Sequence, residues 1–383
     1  MTQRAAPTHA QGKPLTVAVL GAGGFIGSHM VEHLLAAGRY TIVGIDVTPE
    51  KLEGIAGPAF TFHQADVRHA PALLEQVIRD ADVVVDLIAY ANPSIYVTEP
   101  LEVFELNFLQ NLEIAKLCIA HRKRLIQYSS AEVYGKGNEG TSYVEDVSDG
   151  VLGPVHKQRW IYATGKMLLE RVLYAHGAAG NLEFTIIRPF NFIGSRIDYL
   201  VPANAIGGPR VFPHFISALL TGGPLRLVDG GHVRRAFMHI EDANTAFQTI
   251  LENPELARNQ IFNVGNSEND LTIREVADLM IELYEELTGE RPKSEVVPIS
   301  GEEFYGEGYE DSSRLPPNVD KLRALGWAPQ HDIRSTFRDA MLFYLSASGS
   351  QVGPESGLRP GGERQVEAMA ALANIGKDQD SLR

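Results

Sequence analysis

A doubly wound parallel α/β sheet with a smaller, discontinuous C-terminal α/β domain is the fold this sequence predicts, on three observations. A β-branched run at residues 15–20 (LTVAVL) enters the glycine turn GAGGFIG and then a segment with apolar residues at helical spacing, Ile26, Met30, Val31, Leu34 and Leu35. Further strand-like runs, TIVGID, FTFHQ, VVVDL, RLIQY and FTIIR, alternate with stretches long enough for helices. After Arg188 the text turns rich in Gly and Pro (RPFNFIGSRIDYLVPANAIGGPRV), which marks a change of architecture.

The elements come in order from these signals. Strand, glycine turn and helix open a dinucleotide-binding domain of Rossmann type over residues 14–194, and QIFNVG at 260–265 reads as a late strand returning to its sheet, with returning segments near 232–266. Residues 195–231 and 267–347 make the smaller substrate-binding domain, where Thr272 and Glu275 form a capping box that announces a helix. Residues 1–13 and the Gly/Ser/Pro-rich stretch 348–383 read as flexible, although VEAMAALANI within the tail has the pattern of a short helix. No internal repeat is visible.

Composition narrows the function. With 383 residues, 44% of them hydrophobic, the chain can bury a large core. No apolar run reaches the roughly 18 residues needed to span a bilayer, and the polar N-terminus lacks a secretory pattern, so a soluble, cytoplasmic protein without membrane association is expected. The single cysteine, Cys118, lies in an apolar pattern and offers neither a disulfide nor a metal site; His214, His232 and His239 have no paired ligand spacing, and no metal is expected. A net charge of −14 disfavours nucleic acid as a partner.

Within Gly21-Ala-Gly-Gly24-Phe25-Ile26-Gly27, glycines allow a sharp turn and close approach to a pyrophosphate at the positive end of the following helix. Asp46 ends the second strand at the spacing where a carboxylate accepts the adenosine ribose hydroxyls and repels a 2′-phosphate, so NAD is the expected cofactor. Asp66 and Val67, at the close of the third strand, are further candidate cofactor contacts; for Asp66 a helix cap is the competing reading. Tyr162 and Lys166 sit four apart in WIYATGKMLLERVL and share a helix face, where an ammonium lowers a phenol's pKa and makes it a base. Ser130 follows the strand RLIQY, at the sheet edge where ligands bind, and can hold the same substrate oxygen.

GAGGFIG, Ser130, YATGK, RPFN and RRAF, in this order, resemble the extended short-chain dehydrogenase/reductases that modify sugar nucleotides, over residues 14 to about 345. FELNFLQNLEIAKLC, HKQRWIYATGK, LVDGG, NVGNSEN and YGEGYEDSSR are similar to the plant UDP-apiose/UDP-xylose synthases and to the bacterial UDP-glucuronate decarboxylase domain of the aminoarabinose lipid A pathway. The resemblance implies a UDP-sugar partner and NAD-linked oxidation of UDP-glucuronate at C4. The C4 ketone is then β to the C6 carboxylate, whose loss as CO2 leaves an enolate. It implies that Tyr162 takes the C4 hydroxyl proton, Lys166 tunes Tyr162 and holds the nicotinamide ribose, and Ser130 orients the oxygen. Glu132 would handle protons or order a water, and Arg314 would bind the carboxylate. Tyr96, Arg159 and Tyr309 match substrate contacts, and Asn191 and Arg235 match residues that hold the diphosphate.

Departures matter as much. Where the apiose-forming enzymes carry two cysteines, this chain has Ala91 and Ala131, which favours a 4-keto-pentose or xylose product over apiose. Ala131 also replaces the aspartic acid expected of a 4,6-dehydratase, and one residue is missing between Asp311 and Arg314. A 4-epimerase is the alternative enzyme and a non-catalytic dinucleotide-sensing regulator the alternative class. The resemblance further implies a homodimer through helices near residues 101–121 and 161–176.

Overall fold

The computed structural model describes residues 14–348 except 138, 199, 201–209 and 312–313. The tail pattern VEAMAALANI and the terminal segment 1–13 lie outside the described residues.

Strand β1 (Leu15–Leu20) is apolar but for Thr16 because it sits inside the sheet, between β2 (Tyr40–Asp46) and β4 (Val83–Asp86), where both faces are covered. Helix α1 (Phe25–Ala36) connects β1 to β2. Beyond β2 lies β3 (Phe60–Gln64), followed by α2 (Pro71–Asp80). After β4 come α3 (Pro93–Thr98), α4 (Pro100–Phe104), a π-helical stretch Glu105–Gln110 and α5 (Asn111–Ala120). Two asparagines of this run hold the loop after β4: Asn107 exchanges both hydrogen bonds with the Tyr90 backbone, and Asn111 donates to the Ile88 carbonyl. Strand β5 (Arg124–Tyr128), helix α6 (Trp160–Ala178) and β6 (Phe184–Pro189) complete the second half.

The short strands and helices after β6 cluster beyond the sheet's ligand edge. They are β7 (Phe192–Ile193), α7 (Val211–Thr221), β8 (Leu225–Val228), β9 (Arg234–Ala236) and β10 (Met238–His239). Helices α8 (Ile240–Glu252) and α9 (Pro254–Ala257) then lead to β11 (Gln260–Val264), which pairs in parallel with β6. The seven parallel strands stand in the order β11-β6-β5-β4-β1-β2-β3, so the direction of winding reverses between β1 and β4 and opens a crevice there. Strand β12 (Asp270–Thr272) pairs antiparallel with β9, and β13 (Val296–Ile299) pairs parallel with β8. Between β12 and β13 runs α10 (Ile273–Thr288), whose first turn is closed by the capping box: Thr272 Oγ1 accepts from Glu275 N at 3.1 Å and Glu275 Oε2 from Thr272 N at 2.7 Å. Helices α11 (Gly301–Tyr305), α12 (Asp320–Arg323) and α13 (Ile333–Ala347) come last, and α13 packs on α10 and α7. Among the described residues no helix is long and apolar enough to cross a membrane.

One buried imidazole pins the chain leaving β7 to α1. His29 Nε2 meets the Ser195 carbonyl at 2.8 Å and Nδ1 faces Arg196 Nη2 at 3.2 Å, so the neutral ring donates from Nε2 and accepts at Nδ1. Burial, reinforced by the Arg196 charge, lowers its pKa to about 4. Because the unfolded ring protonates near 6.5 and the folded one only near 4, stability falls as pH drops through that window, by roughly 3 kcal/mol once complete. Urea unfolding of the wild type is expected to weaken between pH 7 and pH 4 with a slope that His29→Gln reduces; equal slopes for the two proteins would assign the acid sensitivity elsewhere.

Candidate active site

At the mouth of the crevice the backbone turns where only glycine fits. Gly21 has φ +90°, a Cβ on Gly27 would lie 2.1 Å from the Gly21 carbonyl oxygen, and one on Gly23 would lie 2.0 Å from that of Thr48. Helix α1 has Gly24 at its N-cap and no side-chain cap, which leaves its first amides available to an anion. Asp46 accepts from Gly23 N at 2.9 Å and from Thr48 N at 3.2 Å; burial raises its pKa while these amides oppose the shift. A glycine cradle, free helix amides and a carboxylate at the end of β2 fit an adenine dinucleotide without a 2′-phosphate. Asp66 lies two residues past the end of β3, and its carboxylate is held by Arg68 at 2.8 Å, which draws its pKa down. Val67 is buried among apolar side chains, and neither residue lines the cavity.

The cavity, about 380 Å³, runs from Gly21, Gly24, Phe25, Ile26 and Gly27 to Tyr96, Ser130, Glu132, Arg159, Tyr162, Lys166, Asn191, Arg235 and Tyr309. Ser130 stands at the end of β5 because it N-caps the tight turn Ala131–Tyr134, its Oγ accepting from Glu132 N at 3.1 Å. Tyr162 stacks on Tyr96 with ring centroids 4.6 Å apart. Burial pushes the Tyr162 phenol up to about 12, and a hydrogen bond from Ser130 works against that shift, as do the charges of Arg210 and Arg314. Lys166 lies one turn further along α6. Its Nζ donates to the Tyr128 carbonyl at 3.0 Å, and burial lowers its pKa to about 8 against the pull of Asp86 and Glu170.

Glu132 lies between two guanidinium groups. Arg314 Nη1 reaches its Oε1 at 2.5 Å and Arg159 Nη2 its Oε2 at 3.0 Å. Burial opposes its charge, but Arg159 and Arg314 more than offset this and hold the carboxyl well below the usual range. It is therefore ionised at neutral pH, with no proton to donate, and accepts hydrogen bonds from both guanidinium groups. Despite the shortened spacing after Asp311, Arg314 reaches the site. Arg159 Nε and Nη1 and Arg314 Nε and Nη2 are buried without an acceptor. Unpartnered donors of this kind are costly unless a ligand fills them.

Arg235 pairs with Asp311, and Asn191 Nδ2 donates to the Ala236 carbonyl at 2.9 Å. Tyr309 lies over the Arg159 guanidinium, and the next residue, Glu310, ties this segment down through Lys136 at 2.6 Å and Trp160 Nε1 at 2.8 Å. Sequence reasoning missed Arg210, His214, Arg226, Tyr305 and Asp311, which also line the cavity. Only Arg226 carried a signal, as the one charge inside the apolar strand LRLV. Nothing in the sequence hinted at the grouping of His239, Glu241 and His331, whose ligand-type atoms lie within 4.8 Å of one another. His239 Nδ1 accepts the Glu241 amide at 3.1 Å, which puts the neutral ring's proton on Nε2 and leaves no lone pair for a metal.

A dinucleotide bed and a buried phenol on one sheet edge are what hydride exchange at a hydroxyl requires, and they define an NAD-dependent enzyme of the extended short-chain dehydrogenase/reductase class. A match to the NAD dependent epimerase/dehydratase family covers residues 17–265, and the chain belongs to that family. It is 39% identical over 355 residues to the UDP-D-apiose/UDP-D-xylose synthase of Oryza sativa subsp. japonica, covering 86% of this chain and 89% of that one. It is 40% identical over 343 residues to UDP-D-apiose/UDP-D-xylose synthase 1 of Arabidopsis thaliana, covering 83% and 88%. Among solved structures, the PbgP3 protein from Burkholderia pseudomallei superposes with a TM-score of 0.78 at 31% identity, over 88% of this chain and 98% of that one.

Gly27→Ala is expected to abolish NAD binding in a fluorescence titration, because its Cβ collides with backbone, whereas Gly24→Ala, 3.3 Å from the nearest atom, weakens it far less. Equal losses would show that the turn is not what holds the cofactor.

Proposed function

We propose that this enzyme oxidises UDP-glucuronate at C4 and decarboxylates it to a UDP-4-keto-pentose, with UDP-xylose the favoured product of any re-reduction. The observation that carries the reading is the set of buried, unpartnered guanidinium nitrogens of Arg159 and Arg314 around Glu132, a site suited to a second carboxylate. The names of the synthases resembled over most of the chain support it. When bound along Gly21–Gly27, Asp46 and Lys166, NAD supplies the acceptor for the C4 hydride.

In this reading Tyr162 accepts the C4 hydroxyl proton while Ser130 holds the same oxygen, and Asn191 and Arg235 take the diphosphate. Tyr96 and Tyr309 wall the sugar. Arg159 and Arg314 fix the C6 carboxylate across the C5–C6 bond, and Glu132, ionised and sharing both cations, limits how firmly that negative charge is held. Loss of CO2 passes the electron pair of the C5–C6 bond to the C4 oxygen as an enolate, which moves the negative charge away from Glu132 and favours the forward step. Ala91 and Ala131 leave no thiol to take part in opening the C2–C3 bond, which favours pentose products that keep the six-membered ring.

With UDP-glucuronate and NAD, CO2 release and a 4-keto-pentose or xylose signal by NMR are expected, without apiose. Intact UDP-galacturonate with no CO2 would replace this reading with a 4-epimerase. Tyr162→Phe should lower turnover by about 100-fold or more, and Arg314→Ala should damage decarboxylation while sparing NAD affinity; loss of both alike would count against its carboxylate role.

The same proposal includes a cytoplasmic homodimer. Cys118, the one thiol, is buried, as suits a reducing compartment. Leu101 is 75% exposed on α4 and Tyr174 59% exposed on α6, with Leu168 of α6 and Leu109 of the adjoining π-helical stretch also presented to solvent. Light scattering should give twice the chain mass for the wild type and the chain mass for Leu101→Glu/Leu168→Glu; an unchanged mass would move the interface elsewhere.

A further inference from the structure

We propose that Asp86, a carboxylate outside the substrate cavity, is the charge partner that keeps Lys166 an ammonium and thereby sets the pH range in which the site works. It acts through Lys166 and is a positioning residue. The inference rests on the placement of Lys166 in the NAD-dependent site, not on which sugar nucleotide is turned over.

Asp86 ends β4 and is wholly buried. Its Oδ1 accepts from Ile88 N at 3.0 Å, a turn contact that an uncharged Asn or Ser supplies equally well. Its Oδ2 has no hydrogen-bond partner. A buried carboxylate with half its acceptors unused is costly unless a cation compensates it. Lys166 is the buried cation of the same layer, 1% exposed. The two are joined through β5: Lys166 Nζ donates to the Tyr128 carbonyl, and Gln127 Nε2 bridges that carbonyl at 3.4 Å and the Asp86 carbonyl at 3.3 Å. Three more buried polar atoms without partners, Gln127 Oε1, Asn111 Oδ1 and Ser129 Oγ, belong to residues on or beside the same sheet edge and mark a polar layer suited to ordered water.

The other groups facing this pair do not replace either member. Glu170, one turn along α6 from Lys166, is bound by Arg188 of β6 through contacts of 2.6 and 3.0 Å. On α5, burial and the Asp86 charge push the Cys118 thiol up, so it stays neutral. Tyr162, on the helix of Lys166, is a neutral phenol in this state. Burial raises Asp86 to about 6 while Lys166 pulls it down, and burial lowers Lys166 to about 8 while Asp86 pulls it up. Both are charged only between those limits, and in the dry interior their attraction acts beyond direct contact.

The test is a double-mutant cycle on the cofactor-free enzyme. Thermal unfolding of the wild type, Asp86→Asn, Lys166→Met and the double variant should give non-additive shifts in Tm at pH 7 and additive shifts at pH 5, where Asp86 takes a proton. Additive shifts at both pH values would overturn the proposal. A second measurement, the pH dependence of NAD affinity, guards against a variant that unfolds early. The alkaline limb of the wild type should move toward acid by about one unit or more in Asp86→Asn, and Asp86→Glu should restore part of it; superposable limbs would again overturn it. Neither measurement uses a sugar nucleotide, so failure of the decarboxylase reading is read separately.

Discussion

Glu132 is the point on which the site hangs. Its two carboxylate oxygens join a turn at the end of β5, the residue before α6 and Arg314 from the far end of the chain, so one side chain gathers segments that the sequence separates widely. The three charges carry a net positive charge in the protein interior. Removing one partner from such a cluster leaves an uncompensated charge and costs about 3–5 kcal/mol, which is why the cluster makes sense as a preorganised receptor more than as a source of stability. Under the proposed function, a second carboxylate arriving there would complete the charge balance and fill the unpartnered donors.

The surrounding walls sharpen that preference. Tyr96, Tyr162, Tyr305 and Tyr309 are all held as neutral phenols by burial, so the cations meet little competing negative charge beyond Glu132 and Asp311. Asp311 in turn occupies Arg235. A chain with a net charge of −14 thus concentrates arginines where an anion is to bind. The segment bearing Tyr309 and Asp311 is fastened by Glu310 to Lys136 and Trp160, which couples the cover of the site to the N-terminus of α6 and hence to Tyr162 and Lys166.

Membership of the family fixes the oxidation half of the chemistry more firmly than the product. In the proposed reaction, hydride removal at the C4 hydroxyl uses the glycine bed, Ser130 and Tyr162. The fate of the ketone depends on small side chains at the wall, and Ala91 and Ala131 supply volume without reactivity. Decarboxylation needs no further functional group from them, since the ketone itself accepts the electron pair of the breaking bond; ring contraction does.

The sequence by itself determined the parallel sheet, the glycine turn, Asp46 at the end of β2, the Thr272–Glu275 cap and the return of residues 260–264 to the first sheet. These are local constraints: a collision within a few residues, a capping contact three residues away, or a run of apolar side chains that only a covered strand tolerates. Tertiary structure decided where charged side chains end. It gave Asp66 to Arg68, turned Lys166 toward the Tyr128 carbonyl and brought Asp86 into its layer, and closed Arg159 and Arg314 on Glu132. Long side chains choose partners by distance through space across strands and helices far apart in the chain. No spacing along a sequence encodes that distance.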